Sequence, residues 1–394
     1  MRRILGFSSV PLDESVGAGA ARIANLYRWL PADRYDRTLV TLAGLRGSGG
    51  ESPLPGGGRV IRLPSPVQTL YFYLEKARLL PFFRVAAAHR RFPLGAAKWL
   101  REEADLVQFD SLWLTPWADR LPPGVPVVYG SHNFETEWYE GELRRYLFRR
   151  RHARFLTGLE RRAVLRADRV LAVTEEDKTK FAERFGADPA KIRVVPNGFD
   201  EDRFRPAGPD ERGEARRALG LPGDRRIALF AGSDVAPNRE GVDSILRSIA
   251  PRTPPDVLFV VAGSVGRSYG GKVVKDRVIF TGPVKDIASW FRAADVGLNP
   301  IRLGSGSNIK VLQYLGAGLA VISTEFGMRG FDDLRAHVKI ARIDRFHYHI
   351  DKIEPDPAAA EKARGSYGWR RASATLSAVY ADLLGEANPG GESP

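Results

Sequence analysis

The 394-residue chain has no cysteine, two methionines and six histidines. Without cysteine, structural disulfides and thiolate metal sites are excluded, and a reducing compartment is the natural setting. Nor does any stretch approach the roughly 18 apolar residues that a membrane span needs; Lys76 and Arg84 interrupt the best candidates. The opening Met1-Arg2-Arg3-Ile4-Leu5-Gly6-Phe7 has too short an apolar run for a signal peptide and reads as a first strand. The expectation is a soluble, cytoplasmic chain. The six histidines show no metal-ligand spacing, so no metal site is expected.

What is present is an ordinary globular composition, 43% hydrophobic and 27% charged, which argues against wholesale disorder. A single core rarely grows past roughly 250–300 residues, so two domains are expected. The formal net charge of +13 favours anionic partners without choosing among phosphates, nucleic acid and an anionic membrane.

Short apolar runs alternate with longer helical patterns, the signature of parallel sheets wrapped by helices. Strands are expected at 3–8, 38–42, 60–63, 106–109, 125–129, 169–173 and 192–194, with helices at 19–30, 86–101 and 143–166 among those between them. Pro206, Pro209, Gly213, Gly220, Pro222 and Gly223 punctuate a linker with one short helix. A second series follows, with strands at 227–232, 257–263, 278–281, 296–299, 320–324 and 338–341. The Gly/Ser/Pro-dense segment 44–58 reads as a flexible surface loop or as a lid.

The segment from Asn299 to Gly318 carries the strongest signal. A strand ends near Asn299, a Gly/Ser loop follows, and a helix begins near Ser307. Free N–H groups at a helix start, with glycines that admit a ligand to the backbone, make an anion site. Lys310 and Gln313 share one helical face and Gly316 continues it, leaving room beside it; Val311, Leu312 and Leu315 face the core. That design suits a diphosphate at the helix start, Lys310 as counter-charge and Gln313 on a hydroxyl pair. A capped, buried helix with an incidental lysine fits the same local features.

Here a resemblance enters. The segment, together with Val173-Thr174-Glu175-Glu176-Asp177, Ile192 to Asp200 with Phe204 and Pro206, Ser233 to Val242, Ala320 to Thr324 and Gly368-Trp369-Arg370, resembles in order the GT-B-fold, group-1 (family 4-like) retaining glycosyltransferases. The resemblance implies an α/β architecture of two Rossmann-like, doubly wound parallel-sheet domains facing across a cleft. It places an acceptor-binding domain at 1–206, a nucleotide-sugar-binding domain at 207–365, a helix returning to the first domain at 366–386 and a mobile tail at 387–394. It implies phosphate-binding amides at Gly306, Ser307, Asn308 and Ile309, ribose contact by Gln313, and Gly282 and Val284 beside the base. No metal is obligatory.

The family often has two glutamates where this chain has Ser305 and Gln313; some branches carry a Gly-Ser-Gly loop in place of the first. Glutamine accepts through one neutral oxygen, which points to weaker donor affinity or a degenerate site. The family's Arg…Lys pair is also missing, with Ser233 and Asn238 in its places, leaving Lys310 and Arg239 to supply charge. In the first domain His132 ends a strand at the family's "HN.E" position, where ligands bind in such sheets; it is expected to hold the transferred sugar and the charge developing near its anomeric carbon. Gly17 and Gly19 match a glycine-rich donor loop, or make a plain turn. Asp200-Glu201-Asp202 at a domain edge reads as a solvated acidic loop rather than a cation site.

Two functions follow as expectations. The first is metal-independent transfer of a sugar from a UDP- or GDP-linked donor to a glycan or lipid-linked acceptor, with retention of configuration. The second is a catalytically degenerate donor- or sugar-binding subunit of a glycan biosynthesis assembly. Ten arginines between Arg144 and Arg169, interleaved with Tyr146, Phe148, Phe155 and Leu159, and the aromatic runs 70–74 and 79–84, suit peripheral docking on an anionic membrane; solvated helix faces fit them equally. No nucleic-acid motif accompanies the charge, so no nucleic-acid partner is expected.

Overall fold

The computed structural model of the chain describes residues 1–10, 12, 18–44, 49–304 and 306–387. It forms two compact units, one of Met1–Pro196 with Ala372–Pro394 and one of Asn197–Arg371.

The first unit contains strands β1 (Arg2–Ser8), β2 (Tyr35–Ala43), β3 (Gly50–Pro53), β4 (Arg59–Pro64), β5 (Leu106–Phe109), β6 (Val127–Gly130), β7 (Arg169–Ala172) and β8 (Ile192–Val194). Their order is β3-β4-β2-β1-β5-β6-β7-β8. Every pairing is parallel except β3 with β4. The second unit contains β9 (Arg226–Ala231), β10 (Val257–Ala262), β11 (Val273–Lys275), β12 (Val278–Gly282), β13 (Val296–Asn299), β14 (Ala320–Ser323) and β15 (Lys339–Ile340). Their order is β11-β12-β10-β9-β13-β14-β15, again parallel but for β11 with β12. In each sheet the order reverses beside the first strand, between β1 and β5 and between β9 and β13. Such a reversal opens a crevice at the carboxyl ends of the two strands, the usual ligand position in doubly wound sheets.

These strands read as unbroken apolar runs because both their faces are covered. In β9, Ile227, Leu229 and Ala231 enter one buried cluster with helix 309–316, whereas Ala228 and Phe230 enter the other with helix 236–244. The period of two thus feeds two cores from one strand.

Several expected elements are shaped differently. The helix foreseen at 86–101 is Val85–Arg91 followed by two short 3₁₀ turns, because Phe92 precedes Pro93 and is pushed out of helical geometry. The helix foreseen at 143–166 breaks between Arg145 and Arg149. Tyr146 turns extended to lay its ring on the core, and Phe148 takes a left-handed conformation, φ +56°. Within 44–58, Gly50–Pro53 pairs with β4; residues 45–48 lie outside the described residues, as does the expected tail from 388 onward. The segment from Asn197 to Pro206 packs with the second unit, where Phe199 and Phe204 are core residues. After that unit the chain returns: Tyr380 donates a hydrogen bond to Gln108 Oε1 at 2.8 Å and Ser373 to the Leu26 carbonyl at 2.8 Å.

Candidate functional site

At the crevice of the second sheet, β13 ends in Asn299, whose fully buried amide donates to Ser323 Oγ (3.0 Å) and the Gly327 carbonyl (3.1 Å). The chain then turns through Gly304 and Gly306, with φ of +130° and +66° that favour glycine. Arg329 holds this turn from beneath: its Nε and Nη2 donate to the Gly306 carbonyl at 2.8 and 2.7 Å, and its Nη1 to Gly304 at 3.4 Å. The guanidinium lies 4.3 Å from the Phe326 ring centroid. Helix 309–316 starts here with Asn308 at its cap, which makes no side-chain capping bond. The Val311 N–H bonds the Asn308 carbonyl at 2.9 Å, and among the described residues the N–H groups of Ile309 and Lys310 meet no side chain, which leaves the positive helix end open to an anion. Asn197, at the entry to the unit, donates to Ser307 Oγ at 3.0 Å.

Lys310, one residue into the helix, turns inward and is 9% exposed. Its ammonium donates to Asn238 Oδ1 at 2.7 Å and sits 4.2 Å from the Phe230 ring centroid. Burial alone pushes its pKa down to about 7. Asn238 is set for this contact by its own amide, which donates to the Ser233 carbonyl at 2.9 Å. Gln313 stands half-buried one turn on, and among the described residues its amide has no hydrogen-bond partner. The room expected beside Gly316 is occupied: a Cβ there would run into the Phe199 ring, so this glycine serves packing rather than ligand access. Arg239 is matched by Asp234 at 2.9 Å. Gly282 (φ +63°) ends β12 with Val284 half-buried beyond it.

In the first unit His132 follows β6. Its Nε2 lies 2.7 Å from the Asp110 carbonyl, which only accepts, so Nε2 carries the proton. Burial and the Arg22 charge hold its pKa down to about 4, leaving it neutral. Nδ1 is buried, has no partner among the described residues and presents a lone pair. A side chain at Gly19 would come within 3.8 Å of that nitrogen. Beneath lies Asp110, receiving bonds from Tyr27 (2.9 Å) and Gln108 (2.6 Å), with burial raising its pKa to about 6. Gly130 has to be glycine because a Cβ would fall 2.6 Å from Asp110 Oδ1. Across the crevice between β1 and β5, Ser9 N and Oγ both bond Ser111 Oγ at 2.9 Å.

The short helix after His132 is anchored by Glu160, fully buried. Its carboxylate accepts from Glu135 N (2.7 Å), Thr136 N (2.8 Å) and Thr136 Oγ1 (2.6 Å). Glu135, buried beside it, is pushed up to about 8 by burial and by Glu160.

The structure thus gathers Gly306, Ser307, Asn308, Ile309, Lys310, Asn238 and Gln313 around one helix start, and Gly19 and His132 in the other unit. Gly17 and Ser305 lie outside the described residues. Asp200 caps its own turn through the N–H groups of Asp202 (3.1 Å) and Arg203 (3.0 Å), and Asp202 pairs with Arg370 at 3.2 Å, a local use of the acidic run. Sequence reasoning missed Arg329, Asp110 and Arg22; only the position of Asp110 just past a strand end could have flagged it.

Two family descriptions match in succession: Glycosyltransferase Family 4 over residues 19–203 and Glycosyl transferases group 1 over residues 225–344. A D-inositol 3-phosphate glycosyltransferase of Streptomyces scabiei (strain 87.22) is 31% identical over 253 residues, covering 56% of this chain and 55% of the relative. The chain spans about half the length of the curated relatives it matches. Among solved structures, a sucrose-phosphate synthase from Thermosynechococcus elongatus superposes with TM-score 0.71 at 17% identity, covering 98% of this chain and all of that one. Anabaena Alr3699/HepE, solved with UDP and glucose, superposes with TM-score 0.58 at 15% identity over 98% and 96% of the two chains. The two α/β units with their matching sheet orders, and the two family matches that together take in most of the sequence, make this chain a member of the group-1 glycosyltransferases of GT-B fold.

Proposed function

We propose that this chain transfers a sugar from a UDP- or GDP-linked donor to a hydroxyl of a glycan or lipid-linked acceptor, with retention of configuration and without a metal. One observation carries the reading: a buried lysine, one residue into the helix and bonded among the described residues only to a neutral amide, is placed to meet an anion. A donor diphosphate would lie on the N–H groups of residues 306–309, with Lys310 as its counter-charge in place of a divalent ion. Gln313 would meet the ribose hydroxyls, and Gly282 and Val284 would flank the base.

In the proposed reaction the acceptor oxygen attacks the anomeric carbon on the face the diphosphate leaves. The bond from that carbon to the phosphate oxygen breaks as the new C–O bond forms, and the acceptor proton passes to the departing phosphate. Neutral His132, with Nδ1 free to accept, would bind a hydroxyl of the transferred sugar rather than remove a proton. The proposed setting is the cytoplasm, in cell-envelope glycan synthesis.

Gln313 favours a second reading, a donor-binding subunit without turnover, since a neutral amide holds a hydroxyl pair less firmly than a carboxylate. Turnover decides between them. Donor consumption in chelator should require acceptor, and proton NMR of the first-formed product should show the donor's own anomeric configuration. The curated relatives are named for D-inositol 3-phosphate, so that compound joins glycans and lipid-linked sugars in the acceptor screen. An inverted product would remove retention; no transfer to any acceptor despite tight donor binding would leave the binding subunit.

A further inference from the structure

The break in the arginine-rich helix of the first unit builds a surface that the sugar chemistry does not use. Between Arg145 and Arg149 the chain runs Tyr146-Leu147-Phe148. Tyr146 turns inward onto the core, whereas Leu147 and Phe148 stand 82% and 77% exposed, side by side. Phe148 holds a left-handed backbone, φ +56°, that a phenylalanine rarely adopts, and it caps helix 149–166 without a side-chain bond. Stability alone would place glycine or asparagine there. The two apolar side chains are flanked by Arg144, Arg145, Arg149, Arg150 and Arg151, all exposed. Arg145 pairs with Glu142 at 2.9 Å; among the described residues the other four have no carboxylate partner.

Helix 66–76 lies beside this tip. Tyr71 and Tyr146 pack on the same core cluster, and the Glu75 carboxylate feels both Glu142 and Arg145. That helix and the turn after it also carry exposed Leu70, Tyr73 and Leu79. We infer that this face is a docking surface for an anionic lipid bilayer, with Leu147 and Phe148 entering the acyl boundary and the flanking arginines resting on the headgroups. The charge is complementary to acidic lipid, and the aliphatic–aromatic tip distinguishes a bilayer from a soluble polyanion, to which Leu147 has nothing to offer.

The inference stands apart from the sugar chemistry, and its test needs neither donor nor acceptor. The full chain is co-sedimented with vesicles of phosphatidylcholine alone and of phosphatidylcholine mixed with phosphatidylglycerol. Binding should require phosphatidylglycerol and weaken as salt rises. The pair Arg149→Gln with Arg150→Gln should lower partitioning by about fivefold for each charge removed. The pair Leu147→Ser with Phe148→Ser should lower it at least as far while leaving the melting temperature and any binding of soluble heparin unchanged. Equal partitioning onto neutral vesicles, no response to the serine pair, or binding to heparin without binding to the acidic vesicles would each overturn the bilayer as the partner.

Discussion

Lys310 is the residue on which most turns. Its pKa is about 7 through burial, against the ordinary lysine value in the unfolded chain. Between those values the unfolded state binds more protons, so this group makes stability rise as pH increases from about 7; below that the buried charge costs a few kcal/mol. Lys310→Met should accordingly unfold at higher urea than the parent at pH 6, with the difference shrinking toward pH 10. The same shift makes ligand binding proton-linked. A diphosphate that selects the ammonium should bind about tenfold more weakly for each pH unit above 7, and calorimetry in buffers of different ionisation enthalpy should register proton uptake. Gln313→Glu tests its neighbour: a gain in donor affinity of about tenfold is expected from replacing a neutral hydrogen bond with a charge-assisted one. That Lys310 and Gln313 share one helical face was an expectation from their spacing alone. That Lys310 points inward onto Phe230 was not, because helical periodicity puts a residue on a face without saying how deep the face lies. Gly316 shows the opposite failure: its smallness was plain, but what fills the space, Phe199, comes from over a hundred residues away.

At the scale of elements, most strands could be read from their apolar runs, with ends exact or shifted by up to three residues. The antiparallel edge strands β3 and β11 were not, since they are only four and three residues long and owe their existence to one partner each. The helix break at Tyr146–Phe148 carries no glycine or proline to announce it; core packing of Tyr146 imposes it. Two supports of the site belong here. Arg329 fixes the glycine turn through three carbonyl contacts, so Arg329→Ala should weaken donor binding by about 1–2 kcal/mol without touching the donor, an effect Arg329→Lys should rescue only partly. Glu160 holds the helix after His132. With three donors Glu160 is the member of the buried pair that ionises first: burial raises it only to about 7, while burial and Glu160 hold Glu135 up to about 8. Glu160→Gln, which sets an amide against those donors, should cost about 2–3 kcal/mol in urea unfolding, whereas Glu135→Gln should be nearly neutral below about pH 4, where the carboxyl is protonated in both states, and stabilising by about 2 kcal/mol at pH 6. Because the folded pKa of Glu135 is raised, its contribution is present in acid and lost as pH rises through about 8; the Gln variant should lose less stability than the parent between pH 6 and 9.

On the scale of the whole molecule, the alternation of strand and helix was enough to read two doubly wound units, and the ordered motifs enough to read their family. The return of the last helix to the first unit was readable only through that resemblance, since the bonds that secure it, Tyr380 to Gln108 and Ser373 to Leu26, join opposite ends of the chain. The net charge of +13 said only that partners are anionic. Within that charge, the buried Lys310 and the exposed arginine-flanked tip are tested by different ligands. The central claim concerns the lysine, and calorimetric titration of the parent and Lys310→Ala chains with UDP, GDP and ADP, in chelator, tests it most directly. One nucleoside diphosphate should bind the parent selectively and lose about 10- to 100-fold in affinity on removal of the ammonium. No binding of any of the three to a folded parent, or binding unchanged in the variant, would contradict the account.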